Sequence, residues 1–246
     1  MRTALQWLLS LIFIIQMYLA MAVVAILYFP CALLRPQGAA AAAHAYCRWV
    51  RRTLALMCGL HVEYRGSAPT GQVLIAAKHQ SFLDIMMIYA AVPRAKFIMK
   101  AELRFAPFLG YYAGRMGCVF VNRGKRGAAI TKMLADVQSG ADQGGQLVIY
   151  PQGTRVPPGV EMPYKTGTAI LYNQLKQVCV PVATNVGVFW PKRGIMRRRG
   201  TCVIEFLDPI PIGMSNAQFM SILETRIEGA SNVLMAEAGF VAQENR

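Results

Sequence analysis

The chain has 246 residues, enough for one substantial hydrophobic core with an accessory segment and short for two full domains. With 55% hydrophobic and only 15% charged residues it falls outside the disordered class, and 26 Lys and Arg against 12 Asp and Glu give a formal net charge of +14. A chain this apolar and this basic suits an anionic lipid surface rather than nucleic acid, whose binders need a hydrated basic face but no long apolar segment.

Between Thr3 and Leu34 there is no charged residue. As a helix, residues 5–29 extend about 37 Å, against a hydrocarbon core of about 30 Å, so the segment is long enough to span with tilt, as one helix or as part of a membrane-embedded hairpin. Ala20-Met21-Ala22 resembles a signal-peptide cleavage site, but the apolar run continues through "VVAILYF" where a polar mature sequence would begin. Arg35, Arg48, Arg51 and Arg52 follow the segment, with Arg2 and the terminal amine in front of it. This asymmetry places the remaining chain on the cytoplasmic face. "RPQG" at 35–38 reads as a linker. Residues 39–59 then read as a helix with Arg48, Arg51 and Arg52 on one face and Cys47, Val50, Leu54 and Met57 on the other, suited either to a lipid surface or to half-burial against a domain. We therefore expect a membrane-associated helical segment over 1–58 and a catalytic-sized domain over 59–246.

From residue 59 onward, β-rich runs alternate with helical patterns: 73–77, 96–99, 118–121, 146–150, 180–184 and 201–207, with helical character in "RGAAITKMLADVQSGA" between two of them. Such alternation predicts an α/β fold, a mixed and largely parallel sheet covered by helices. The last helix begins at "SNAQ", where Ser215 and Gln218 fit a capping box, and Phe219, Leu223, Ile227 and Leu234 form its apolar stripe. "RVPPGVEMP", 155–163, is a loop by its prolines and glycine. The six cysteines are scattered without a C-x-x-C pair or a histidine at ligand spacing, so they read as buried thiols rather than a disulfide framework or a zinc site.

Against this background "AAKHQSFLDI", 76–85, stands out, because it spends one of only three histidines just past a predicted strand, five positions ahead of an aspartate. Ligands gather at the carboxyl ends of strands in parallel α/β sheets. Asp84 has a structural reading as the third helical residue of a capping box begun by Ser81, and a functional one as the partner of His79. An aspartate that accepts from one imidazole nitrogen fixes the tautomer and leaves the other nitrogen free to take a proton from a hydroxyl. The two readings are compatible.

Further along, Asn122-Arg123 and "YPQGTR" (150–155) also follow strands directly, which brings Arg123 and Arg155 to the same rim as His79. Two guanidiniums there suit a phosphate, which Arg pairs bidentately, and the Gln152-Gly153-Thr154 turn can add backbone N–H groups. The segment "WPKRGIMRRRG", 190–200, packs five cations around a tryptophan, fitting a solvated loop, lipid headgroups or an acidic carrier protein.

In this order the motifs resemble those of the lysophosphatidic acid acyltransferase family. Its histidine, four residues, aspartate motif is similar to His79–Asp84; its second block to Lys100, Leu103, Pro107, Gly110, Gly117, Phe120 and Arg123; its third to Tyr150, Pro151, Gly153, Thr154 and Arg155, followed by "YKTG" at 164–167; its fourth to Val180-Pro181-Val182. The resemblance covers roughly residues 70–210. It implies an O-acyltransferase of glycerolipid acyltransferase fold, with an acyl-chain groove, no metal and no permanently bound cofactor. The donor it implies is acyl-CoA or acyl carrier protein, and the acceptor a lysophospholipid, 1-acylglycerol 3-phosphate, giving phosphatidic acid. On this resemblance His79 and Asp84 are catalytic, and Arg123, Gln152, Gly153, Thr154 and Arg155 bind substrate. Gln152 stands where the family has glutamate and Asn122 where it often has aspartate, so the third motif lacks one carboxylate. That departure leaves room for another acceptor, such as lyso-ornithine lipid. A membrane-anchored lipid-binding protein without turnover is the reading from another class, and the intact His79–Asp84 pair weighs against it.

Overall fold

The structure is a computed structural model and describes residues 2–121, 135 and 144–241. Arg123, Asn122 and nearly all of the helical pattern expected at 126–141 lie outside the described residues.

Two antiparallel helices open the chain. Helix α1 (Arg2–Leu34) is the apolar segment, and α2 (Pro36–Cys58) returns beside it after Arg35 alone. The linker expected at 35–38 is therefore a single extended residue, and Pro36 starts a helix, where its missing N–H costs nothing. Gly59, at φ 65°, ends α2 in the left-handed conformation, with its N–H on the Ala55 and Leu54 carbonyls.

The chain then enters β1 (Leu60–Arg65) and β2 (Val73–Ala77), passes through α3 (Leu83–Ala91) into β3 (Ala95–Lys100), and continues through a 3-10 turn (Ala101–Phe105) and α4 (Leu109–Arg115) to β4 (Val119–Val121). After β5 (Gln146–Ile149) come α5 (Gly167–Leu175), β6 (Cys179–Thr184), a short α6 (Val186–Phe189), β7 (Gly200–Phe206) and α7 (Asn216–Glu237). Among the described residues seven strands form one sheet in the order β1-β7-β6-β2-β5-β3-β4. Every neighbouring pair is parallel except β6 and β7. The α/β class and the mixed, largely parallel sheet expected from the pattern are observed. Strand β1 was not among the expected runs: "HVEYR" mixes polar and apolar residues, as suits a sheet edge, and lacks the apolar run that marks β2.

Helix α7 begins at the expected capping box, Ser215 with Gln218, and buries the expected stripe of Phe219, Leu223, Ile227 and Leu234 on the sheet. Each such burial contributes about 1.5–3 kcal/mol. Phe219 stacks on Tyr172 of α5 at 3.9 Å between centroids. On the other side Phe13 and Met17 of α1 and Val50 and Leu54 of α2 share one core with Ile75 and Val182 of the central strands. The two segments expected as 1–58 and 59–246 thus meet in a single core. On α2, Cys47, Val50 and Leu54 are buried and Arg48, Arg51 and Arg52 exposed, as the helical pattern requires.

The antiparallel step decides what surrounds the site. Because β7 runs against β6, the loop leading into β7 lies at the rim formed by the carboxyl ends of β2, β5 and β6. Since β1 pairs parallel to β7, the end of α2 arrives at that rim as well.

Candidate active site

At the rim, Lys78 continues the ladder one residue beyond β2, its N–H on the Val182 carbonyl, and His79 follows. Ala76 pairs with Ile149 across β2 and β5, so His79 and Tyr150 leave adjacent strand ends together. Their rings stack at 3.9 Å and 20°. Two further rings, Phe97 and Tyr89, continue the stack at 6.3 Å steps towards a cavity of about 570 Å³ lined by Tyr89, Lys96, Arg115 and Met116.

Asp84 sits in the first turn of α3 and is fully buried. One oxygen, Oδ2, accepts from the backbone N–H groups of Gln80 and Ser81, both at 2.8 Å. The other, Oδ1, lies 2.9 Å from Nδ1 of His79. The capping box expected from Ser81 is half formed: Asp84 accepts from the Ser81 N–H as the box requires, but Phe82 precedes the helix in helical conformation and the Ser81 hydroxyl accepts from Leu83 N–H instead of from Asp84 N–H. Since a carboxylate only accepts hydrogen bonds, the pairing holds a ring proton on Nδ1, so that in the neutral imidazole Nε2 is the acceptor. The His79 side chain retains 13% exposure. Burial raises the Tyr150 phenol well above its ordinary range, with the Asp84 charge adding to the effect. The buried Tyr150 hydroxyl has no hydrogen-bond partner among the described residues.

The segment after β5 is bonded to this loop. Val156 N–H donates to the His79 carbonyl at 2.7 Å, and Gly153 N–H closes a turn on the Tyr150 carbonyl at 2.8 Å. Gly153 has φ +69°, a left-handed conformation that favours glycine, and it lies against the flexible end of the Lys165 side chain. Thr154 is half-buried in the same turn. Arg155 is half-buried and reaches the Lys192 carbonyl at 3.5 Å, while Lys192 Nζ donates to the Arg155 carbonyl at 2.8 Å. No carboxylate among the described residues pairs with Arg155. Gln152, expected among the acceptor contacts, instead has its amide inside the fold at 2% exposure, donating to the Met162 carbonyl at 3.3 Å and to Glu228 at 3.5 Å.

Of the five cations in 190–200, Arg197 is buried, stacks on Trp190 at 4.1 Å and turns its guanidinium onto the carbonyls of residues 194–196. Burial lowers its pKa to about 10. It is a fold element, whereas Arg193, Arg198 and Arg199 are exposed. Among the described residues no three His, Cys, Asp or Glu side chains gather as metal ligands.

Residues 60–185, from β1 through β6, match the model of the acyltransferase family. The chain belongs to that family. This acyltransferase is 25% identical over 201 residues to 1-acyl-sn-glycerol-3-phosphate acyltransferase of Pseudomonas aeruginosa, covering 80% of the chain and 78% of the relative. It is 30% identical over 158 residues to the human alpha enzyme of the same name and 34% identical over 129 residues to the Helicobacter pylori enzyme. These two matches cover 62% and 51% of the acyltransferase described here and only 56% and 54% of the relatives. Its fold is that of the crystal structure of 1-acyl-sn-glycerophosphate acyltransferase from Thermotoga maritima, with a TM-score of 0.76 at 21% identity over 96% of this chain and all of the other.

Two residues beside the acyltransferase site, Lys78 and Glu228, were given no role by the sequence reading, and Tyr164 of the "YKTG" motif joins them. Lys78, whose side chain is 2% exposed, places Nζ at 2.7 and 2.6 Å from the two carboxylate oxygens of Glu228, and Tyr164 donates to the same Oε1 at 2.9 Å. Lys78 lies inside the stretch 76–85 without a role of its own, and Glu228 on the last helix has no motif around it. The nearest signal was a lysine placed inside an otherwise apolar strand end.

Proposed function

We propose that this protein transfers a fatty acyl group from acyl-CoA or acyl carrier protein to the 2-hydroxyl of 1-acylglycerol 3-phosphate, giving phosphatidic acid. The observation that carries this reading is the His79–Asp84 pair, at 2.9 Å, with Nε2 left free at a rim that an alcohol can reach. Nε2 takes the hydroxyl proton as the oxygen bonds to the thioester carbonyl carbon. The C–S bond then breaks, and the thiolate leaves with the proton returned by the imidazolium, which Asp84 has stabilised meanwhile. Arg155 carries a positive charge beside the pair with no acidic partner among the described residues, which suits the acceptor phosphate. Arg123, outside the described residues, is proposed as the second such group. Family relatives carrying this activity in their names support the reading.

Gln152 bears on the choice of acceptor. Its amide is turned into the fold, so its departure from glutamate changes an internal contact and does not by itself favour a different lysolipid.

The same reading sets how the chain meets the bilayer. One side of α1 is exposed and apolar, with Leu5, Leu8, Ile12, Ile15, Leu19 and Ile26 all above 40% accessible. Its other side is held at both ends: Gln6 donates to the Cys58 and Arg197 carbonyls, and Arg115 of α4 to the Ala32 carbonyl. These anchor points lie about 39 Å apart along the helix. A helix crossing the membrane would drag the domain through it, so α1 lies in one leaflet, apolar side inward, on the cytoplasmic face.

The decisive experiment offers purified protein a panel of lysolipids with acyl-CoA and acyl carrier protein donors and identifies products by mass. Phosphatidic acid formed by the native protein and absent with His79→Ala is the expected result. Turnover by His79→Ala at the native rate would end this mechanism.

A further inference from the structure

We propose that Glu228 of α7 is a positioning residue that supplies, from outside the third motif, the carboxylate missing at position 152, and that the site works only while residue 152 is neutral.

Glu228 is an acceptor surrounded by donors from three segments: Lys78 at the end of β2, Gln152 in the turn after β5, and Tyr164 ahead of α5. The Lys78 ammonium, 2% exposed, spans both carboxylate oxygens. Lys78 is the residue before His79, and the 150–156 turn bonds to the His79 carbonyl through Val156. Glu228 therefore ties together the two backbone segments that set where the imidazole sits.

A glutamate at 152 would replace a donor with a second acceptor about 3.5 Å from the Glu228 carboxylate. Two carboxyl groups that close share a proton, and forcing both to ionise pushes the segments apart. Lys78 and Tyr164 face Glu228 from the other elements, and Glu224, one turn earlier on α7, adds negative charge near Tyr164. Among the described residues Lys78 is the one ammonium bonded to Glu228, and it already spans both carboxylate oxygens; Lys165, whose Nζ end lies beside Gly153, is the other cation at this turn. Restoring the family's glutamate at 152 should thus impair this chain, and moving the charge rather than adding it should repair the damage.

The activity arm rests on the acyl-transfer reading above; the stability arm does not. Gln152→Glu, Glu228→Gln and the double variant are compared with the native chain for turnover and acceptor KM from pH 5.5 to 9, and for thermal midpoint over the same range. Gln152→Glu is expected to lose about tenfold to a hundredfold in kcat at pH 8 with acceptor KM unchanged, since a small displacement of the base costs that much. It should recover as pH falls and one carboxyl of the pair is protonated. The double variant should return to within about threefold of native turnover, well above either single variant, because one anion again faces Lys78. Its pH profile should match the native one. A Gln152→Glu protein as active as the native chain at pH 8, or a double variant no better than the worse single, overturns the proposal. Should the native chain transfer no acyl group to any lysolipid, the acyl-transfer reading fails alone. The thermal midpoint then decides: a Gln152→Glu midpoint that drops with rising pH and is restored in the double variant sustains the pairing, and one that tracks the native curve refutes it.

Discussion

The backbone N–H of Val156 donates to the carbonyl of His79 at 2.7 Å, so the loop carrying Arg155 and the loop carrying the imidazole are held as one piece. If Arg155 holds the acceptor as proposed, its phosphate is thereby delivered in register to the imidazole. The coupling is by main chain, which makes it sensitive to anything that shifts either turn, including a change in the fully buried Val156 side chain.

Asp84 serves three donors, the His79 ring and two loop amides. Asp84→Asn keeps the size but offers an N–H or a weaker acceptor to the ring. Turnover should fall about 10²–10⁴-fold as the base loses its tautomer and its orientation. Asp84→Ala should in addition destabilise the fold by about 2–5 kcal/mol through the orphaned loop amides. Urea unfolding separates the two effects, and equal stability losses in both variants would contradict the assignment.

Arg155 has a different expected signature. Arg155→Lys keeps the charge and loses the planar fork, so acceptor KM should rise about tenfold with a smaller change in kcat. Comparing phosphate-bearing and uncharged lysolipids checks it, since only the former should be affected.

The Lys78–Glu228 pair predicts a stability asymmetry. Removing one partner, as in Lys78→Ala, leaves a carboxylate without its counter-ion and should cost about 3–5 kcal/mol. Replacing both by apolar groups, Lys78→Met with Glu228→Leu, should cost markedly less. Denaturant midpoints of the three proteins test this, and a double variant less stable than Lys78→Ala would show the pair to be a net contributor.

The cysteines report on the membrane face. Cys179 and Cys202 are buried, and burial pushes both thiols up to about 12, so they stay protonated and unreactive at pH 8. Cys31 on α1 is exposed. With Cys31 as a reference off that side, a charged maleimide should label Leu19→Cys, on the exposed apolar side of α1, in the lipid-free protein and fail to do so once anionic vesicles cover that side. Undiminished labelling on vesicles would show that this side of the helix stays in water.

Much of this protein was legible before its fold. Strand β2 at 73–77 and the capped helix from Ser215 follow from patterns that depend on a few adjacent residues, an apolar run in one case and a side chain bonding back three positions in the other. His79 and Asp84 were legible for the same reason, five positions apart and joined through one short loop. By contrast β1 was hidden because an edge strand with one wetted side resembles a loop, and "RPQG" passed for a linker because proline and glycine also begin helices.

The sequence by itself determined the α/β alternation, the apolar first helix and the local His79–Asp84 contact, since each is set by interactions within a few residues along the chain. Only the tertiary structure decided that α1 is pinned to the domain at both ends, that Gln152 turns inward and that Glu228 meets Lys78, 150 positions away in sequence. Such contacts depend on the order of strands in the sheet and on the one antiparallel step within it, and no local pattern of residues encodes them.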